Sequence, residues 1–454
     1  MSTSLSRRGF LGTMSLASAA VFFGACSGGG DDGPAAPSAG PQVSQADIDA
    51  AMAKPTTLTF WTWVPDIQNQ VDLFEKQYPA MKVQLVNVGQ GSPHYQKLRA
   101  AIQSGQGAPD VTQMEFQYIP SFTLGDNLLD ISGYGVAGIK DQYPEWVWSQ
   151  VSKGEVVYAV PQDVGPMGLL YRDDLLSDAG VEVPTTWDAF AAAAADYRTA
   201  NPKSYLTNLA PNQPGQIIAY LWQAGARPFA YDGDKTVTVD LASDAGKKVL
   251  GFWGEMLAAG SLSVDPDFTD SWYQGLANGK YASWPTAAWG PVFLQGTAKK
   301  TSGKWRAVPL PQWDESAPAS GNWGGSTDAV LKTSANPIAA AQLALWINTA
   351  KEPALKLATE QFLFPPSTTI LNDPEVADLE SPFFGGQKVN TTFKDISETV
   401  TPDFGWLPFM DFVYTNFNET LGKAIADKGD LVAGLQKWQD AVAGYAKDQG
   451  FTVA

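Results

Sequence analysis

Between residues 57 and 114 the hydrophobic period of the sequence switches repeatedly, and that run constrains the fold more than any other feature. Thr57-Leu-Thr-Phe-Trp-Thr-Trp63 has the Thr and aromatic content of a strand, and residues 66–78 place Ile67, Val71 and Phe74 on one side of a helix. Residues 81–88 alternate as a second strand and 94–103 read as a second helix. After the turn Gly105-Gln-Gly-Ala-Pro109, residues 110–114 form a third strand. A strand-helix-strand-helix-strand run buries its apolar faces as a mainly parallel sheet with helices on both faces. The expected class is α/β.

The chain has 454 residues, 44% of them hydrophobic, enough for two large cores, and intrinsic disorder is excluded for the bulk. Lys and Arg number 30 against 47 Asp and Glu, and the resulting charge of -17 repels a phosphate backbone. Nucleic acid is therefore not an expected partner. With one cysteine, Cys26, and one histidine, His94, disulfide frameworks, Cys/His zinc sites, Ser-His-Asp triads and Cys-His dyads all lack parts. No cofactor and no metal site is expected. The 16 Trp, 15 Tyr and 22 Phe exceed what a core of this size needs, and the surplus asks for a use.

Arg7-Arg8-Gly9-Phe10-Leu11 precede an apolar run over 16–25 that ends at Cys26 and passes into Ser27-Gly28-Gly29-Gly30. The run is too short to span a bilayer permanently, and its charged start, apolar centre and small residues match a secretory signal. The twin arginines point to export in the folded state. Gly24-Ala25-Cys26 resembles the cleavage box of bacterial lipoproteins, with Phe23 where an aliphatic residue is more usual. Residues 1–25 are thus expected to be removed, Cys26 to be acylated, and 26–55 to act as a flexible tether, since its first part is rich in Gly, Ser, Pro, Ala and Asp. The only attachment to the membrane would be that lipid.

Further along, Lys153-Gly154 turns the chain into a strand over 155–161, and after Gly165-Pro166 residues 167–171 extend again. Two strands joined by a short non-helical passage look like a crossing between lobes. Thr185, three residues before Asp188, opens an Ala-rich helix over 187–198. Asn336-Pro337 opens another over 338–349, with Pro at the first helical position. Residues 281–289 read as a strand broken by Pro285, 305–310 as another, and the last hundred residues as helices interrupted by Pro365-Pro366, Phe383-Phe-Gly-Gly386 and Pro402.

With these segments placed, the chain resembles the bacterial extracellular solute-binding proteins of ABC sugar importers. The segments carrying the resemblance are Leu58-Thr-Phe-Trp-Thr-Trp63 with Phe74-Glu-Lys-Gln-Tyr-Pro79, Gly107-Ala-Pro-Asp-Val111, Val157-Tyr-Ala-Val-Pro161 with Leu169-Leu-Tyr-Arg-Asp173, Ala179-Gly-Val with Pro184-Thr-Thr-Trp-Asp188, and Trp323-Gly-Gly-Ser326 followed by 339–346. Their order and spacing, not any one of them, make the match. The resemblance implies a two-lobed periplasmic-binding-protein-like fold, a hinge crossed three times and a ligand between the lobes. It places the crossings near 162–166, 283–285 and 332–336. Lobe 1 would hold 56–162 and 285–333, and lobe 2 would hold 163–284 and 334–454.

A sugar is apolar on its C–H faces and ringed by hydroxyls, so its site needs aromatic platforms with fixed donors and acceptors. Trp61 and Trp63 end the first strand, where ligands collect at the crevices of open α/β sheets, and alternation sends Phe60 to the core instead. Trp284 and Trp289 flank the expected second crossing, Trp323 precedes Gly324-Gly325, and Trp406 lies in the late segment where the resemblance implies a stacking ring. Each of these rings is as readily a core residue as a platform. Gln113, Glu115 and Gln117 alternate after the third strand and Asp163 lies in the first crossing, all able to reach hydroxyls; solvated loop positions are the plain alternative. Gly324 and Gly325 allow a ligand to approach the backbone.

Two weaker constellations are set aside. Asp265, Asp267 and Asp270 lack the glycine and the closing acid of a calcium loop. His94 starts a helix with no second ligand nearby in sequence and is expected at the surface. The reading that emerges is a monomeric, lipid-anchored receptor on the outer face of the cell membrane. It would bind a di- or oligosaccharide and hand it to the transmembrane subunits of an ABC permease. A surface-anchored glycoside hydrolase would use the same rings and carboxylates, and 47 acidic residues leave it open.

Overall fold

The computed structural model describes residues 39–40 and 42–454, so the expected signal, Cys26 and the first part of the tether lie outside the described residues. The rest of that tether needs correction. Gln45–Ala53 is a helix capped by Ser44, whose hydroxyl accepts from the Asp47 N–H at 3.2 Å, and Met52 is buried. The folded part thus starts about ten residues before Thr56, because one apolar side chain per turn suffices to dock a short capped helix.

Five strands make the first sheet, in the order Met81–Val86, Thr56–Trp61, Val111–Glu115, Ser326–Val330, Ala159–Asp163. The first three pair in parallel, as the periodicity requires, and Ser326–Val330 runs antiparallel to both its neighbours. Leu58 and Phe60 are wholly buried under the helix Gln68–Gln77, which contributes Val71 and Phe74. On the same body lies the helix Pro337–Thr349, whose Asn348 amide donates to buried Asp328 at 2.7 Å.

The second body is built on Ser283–Ala287, Met167–Arg172 and Trp305–Pro309, all antiparallel, with Met167–Arg172 central and buried throughout. A smaller sheet joins Phe229–Tyr231, Thr236–Val239 and Thr452–Val453. Helices including Trp187–Ala200, Pro214–Gln223 and Leu431–Asp448 enclose Trp187, Trp222, Trp253 and Trp438, each almost fully buried. The first of these helices is capped by Thr186, not Thr185, its hydroxyl accepting from the Ala189 N–H at 3.1 Å.

These sheets move two of the three expected crossings. Residues 164–166 do join the first sheet to the second. Residues 285–309, expected in lobe 1, instead carry two strands of the second sheet, and the passage back runs through 310–325. Pro285 misleads because it looks like a break, yet it sits in an edge strand, where a missing N–H costs no ladder bond. Residues 332–336 do not cross either: the helices Pro337–Thr349 and Lys351–Thr359 stay with the first body, and the last passage falls within 360–388. At the hinge the three passages touch. The Trp323 N–H donates to the Gly165 carbonyl at 2.8 Å, and the Val164 N–H to the Phe364 carbonyl at 3.1 Å.

Candidate functional site

A cavity of about 580 Å³ opens between the two bodies, within the range of small-molecule sites. Trp63, Gln113, Glu115, Asp163, Trp289, Trp323, Gly324 and Gly325 line it, so eight of the residues expected at a site come together. Trp63, Glu115 and Asp163 stand at or just beyond the C-terminal ends of strands of the first sheet, and Trp323, Gly324 and Gly325 lead into the antiparallel strand Ser326–Val330 beside them.

Trp63 follows the first strand by two residues, and its N–H donates to Gln113 Oε1 at 3.0 Å. That oxygen also accepts from the Thr62 hydroxyl at 2.8 Å, while the Gln113 amide donates to Ser326 Oγ at 3.0 Å. Gln113 is therefore spent on holding the platform and joining two strands. His94, expected at the surface, is instead fully buried and packs edge-on beneath Trp63 at 4.9 Å and beside Trp61 at 6.2 Å. Its Nε2 lies 3.1 Å from Thr112 Oγ1, and burial pushes its pKa down to about 4. The ring is neutral packing that sets the Trp63 indole.

From the second body come Trp289 and Trp323, edge to face at 4.8 Å, with the Trp289 indole N–H donating to the Trp323 carbonyl at 2.9 Å. Phe268, Tyr273 and Phe293 extend this wall. Sequence reading missed all three, along with Gln90 and Gln213: Tyr273 and Phe293 sit in the helices Asp270–Asn278 and Gly290–Thr297, which it did not anticipate, and the other three lie in loops. Phe268 follows Pro266-Asp267 in a loop, and its φ of 64°, uncommon for a bulky residue, shows only in the structure.

Glu115 and Asp163 supply the charge. The Glu115 carboxylate accepts from the Tyr95 hydroxyl at 3.2 Å and from the Gln117 amide at 3.1 Å. Burial, helped by nearby Asp163, raises its pKa to about 7. Gln117 is buried behind it and does not line the cavity. Asp163 accepts from the Ser326 N–H at 2.9 Å and from the Ser326 hydroxyl, and burial raises its pKa too. Gly325 follows at φ 101°, and a Cβ there would meet Phe116 at 2.5 Å, so the turn carrying Ser326 requires glycine.

Three expected platforms are elsewhere. Trp61 is buried against His94 and behind the cavity wall. Trp284 is 1% exposed and packs on Trp272 at 5.0 Å, because its strand faces the aromatic core of the second body. Trp406 is buried beside Trp222 and Phe404, and its indole N–H donates to Gln150 Oε1 at 2.6 Å. It borders a different cavity of about 330 Å³ with Lys153, Tyr158 and Tyr231. Trp406, its N–H satisfied and its ring buried, is a structural strut. Among the described residues no group of His, Cys, Asp and Glu could hold a metal ion.

A two-lobed α/β fold with a lined cleft at a three-stranded hinge is the architecture of a periplasmic-type binding protein. The family model of the bacterial extracellular solute-binding proteins matches residues 59–352, and the chain belongs to that family of binding proteins, which are not enzymes. It is 24% identical over 371 residues, 78% of this chain and 80% of the other, to the arabinooligosaccharide-binding protein of Halalkalibacterium halodurans. It is 26% identical over 345 residues, 70% of this chain and 72% of the other, to an uncharacterized lipoprotein of Streptomyces antibioticus. Among solved structures, the ABC transporter associated binding protein of B. animalis subsp. lactis Bl-04, in complex with β-1,6-galactobiose, is 31% identical. It superposes with a TM-score of 0.77, covering 87% of this chain and 99% of that one.

Proposed function

We propose that this protein is a lipid-anchored carbohydrate receptor on the outer face of the cell membrane, binding a di- or oligosaccharide between its lobes and delivering it to an ABC permease. The observation that carries the reading is the pairing of aromatic walls from both bodies, Trp63 on one side and Trp289 and Trp323 on the other, over two hydrogen-bonding carboxyls. Rings on both walls can each cover one apolar sugar face, and the carboxyls between them accept hydroxyls. A ligand touching both lobes binds the closed state better and shifts its population, the signal a permease needs. Relatives named for oligosaccharide binding support the same reading. The anchor rests on the junction at Cys26, and acylation there would leave the receptor monomeric and tethered.

A thermal-shift screen of the protein against mono-, di- and oligosaccharides tests the proposal. A matching sugar at a hundred times its Kd stabilises by about 2.7 kcal/mol. A panel that shifts nothing would remove carbohydrate from consideration.

A further inference from the structure

We propose that the cleft discriminates by charge, admitting neutral sugars and rejecting sugar acids, with Glu115 and Asp163 as the residues that enforce it. The inference rests on the carbohydrate reading above and deepens it. Among the described residues lining the cavity there is no Lys, Arg or His, while both carboxyls stand there together. Of the cations near it, Arg99 is held 2.7 Å from Asp411 and so is already neutralised, while the Lys97 ammonium donates to the Val88 carbonyl at 2.6 Å and does not line the cavity. A uronate entering this space would lose its hydration and meet two acids with no positive partner. At short range in a water-poor cleft such repulsion outweighs the gain from ring stacking. A neutral sugar of the same shape meets the same groups as hydrogen-bond acceptors.

The surroundings of Glu115 give this selectivity a pH dependence. Facing it are Tyr95 from the helix Ser92–Ser104, Gln117 and Tyr118 from the turn after its own strand, Asp163 from the hinge strand, and Asp411 and Tyr414 from the helix Met410–Phe417. Asp163 in turn lies near buried Asp328. With burial holding Glu115 near 7, its charge is present above neutrality and lost below it, whereas a uronate remains ionised on both sides.

The test uses calorimetric titration of the wild-type protein with neutral probes (β-1,6-galactobiose, lactose, maltose, cellobiose) and acidic ones (digalacturonic acid and an aldobiuronic acid). The strongest neutral probe is expected to bind at least about tenfold more tightly than either acid at about pH 8, and the gap to narrow at about pH 5.5. Glu115→Gln combined with Asp163→Asn is expected to narrow the same ratio, whatever it does to absolute affinity; the pH series covers the case in which that variant does not fold. An acidic probe that equals the best neutral one, or a ratio indifferent to both pH and the double substitution, overturns charge selection while leaving the carbohydrate reading intact. Absence of binding by every probe, neutral ones included, overturns both.

Discussion

Arg99 and Asp411 form an ion pair from one body to the other, Nη1 to Oδ2 at 2.7 Å, joining the helix Ser92–Ser104 to the helix Met410–Phe417 close to Glu115. Ser92 Oγ adds a longer contact to the same carboxylate at 3.4 Å, and Arg99 lies 5.2 Å over the Phe122 ring. Both charged groups are about one-third exposed, so the pair contributes no more than about 1 kcal/mol and weakens with salt.

That magnitude is too small to hold the lobes shut alone and large enough to tune release. Arg99→Ala and Asp411→Asn are each expected to speed sugar dissociation up to about fivefold, with little effect on association. The double substitution should cost no more than either single one. Stopped-flow tryptophan fluorescence reads both rates, and fully additive effects would show that the two residues do not act as a pair.

Trp289 and Trp406 separate binding from stability. Trp289→Ala is expected to weaken sugar binding by about 1–3 kcal/mol and to cost less stability than Trp406→Ala, as the ring, though packed on Trp284 and Trp323, is partly exposed on the cavity wall. Trp406→Ala should do the reverse, losing about 3–5 kcal/mol of stability with affinity unchanged in whatever remains folded, because its indole is packed on Phe404 and bonded to Gln150. Calorimetry and thermal melts on the two variants check this; a loss of affinity in Trp406→Ala at full stability would return that residue to the site.

Those two residues also mark how far the sequence could be read. The opening alternation of strand and helix was legible because each element buries one face, so its period is written in Leu58, Phe60, Val71 and Phe74. Trp63 was legible because strand ends fix the cleft in such sheets. Trp284 and Trp406 were not, since nothing in a residue's type distinguishes a ring facing a cavity from one facing other rings. The later crossings were hidden for a related reason: which sheet the strands Ser283–Ala287 and Trp305–Pro309 join depends on pairing with the distant Met167–Arg172, and Pro285 mimicked a break. His94 was misplaced because its partners, Thr112 and two tryptophans, converge only in three dimensions.

Gly165 sits where two passages of the hinge press together. It needs no unusual φ, but a Cβ there would overlap the Trp323 carbonyl oxygen and crowd Ala287. Gly165→Ala must therefore pry apart two passages that share the Trp323–Gly165 hydrogen bond. A loss of more than about 2 kcal/mol in denaturant unfolding is expected. A variant of wild-type stability would mean that this contact is not maintained in solution.

Buried Asp328 predicts a particular pH response. Burial raises its pKa to about 7 even though Gln162 and Asn348 donate to one oxygen, and its other oxygen has no partner among the described residues. The folded state thus holds a proton that the unfolded state releases near its ordinary pKa. The stabilisation is complete below about pH 4 and is lost as pH rises through about 7. Asp328→Asn, which can keep both accepted bonds, should flatten that decline in ligand-free protein measured from acidic to slightly alkaline pH. His94 works oppositely, favouring the folded state above its unfolded value and less as the medium acidifies toward 4. The decisive quantity is the slope difference between Asp328→Asn and wild type; identical slopes would exclude Asp328 as a source.

The most direct measurement is a calorimetric titration of the wild-type protein and of a Trp63→Ala, Trp289→Ala double variant with neutral di- and oligosaccharides. One sugar per chain should bind to the wild type with an affinity near micromolar, about -8 kcal/mol, and binding should disappear when one ring is removed from each wall. Sugar binding of equal strength in the double variant, or no heat from any sugar with the wild type, would contradict a carbohydrate site between these two tryptophans.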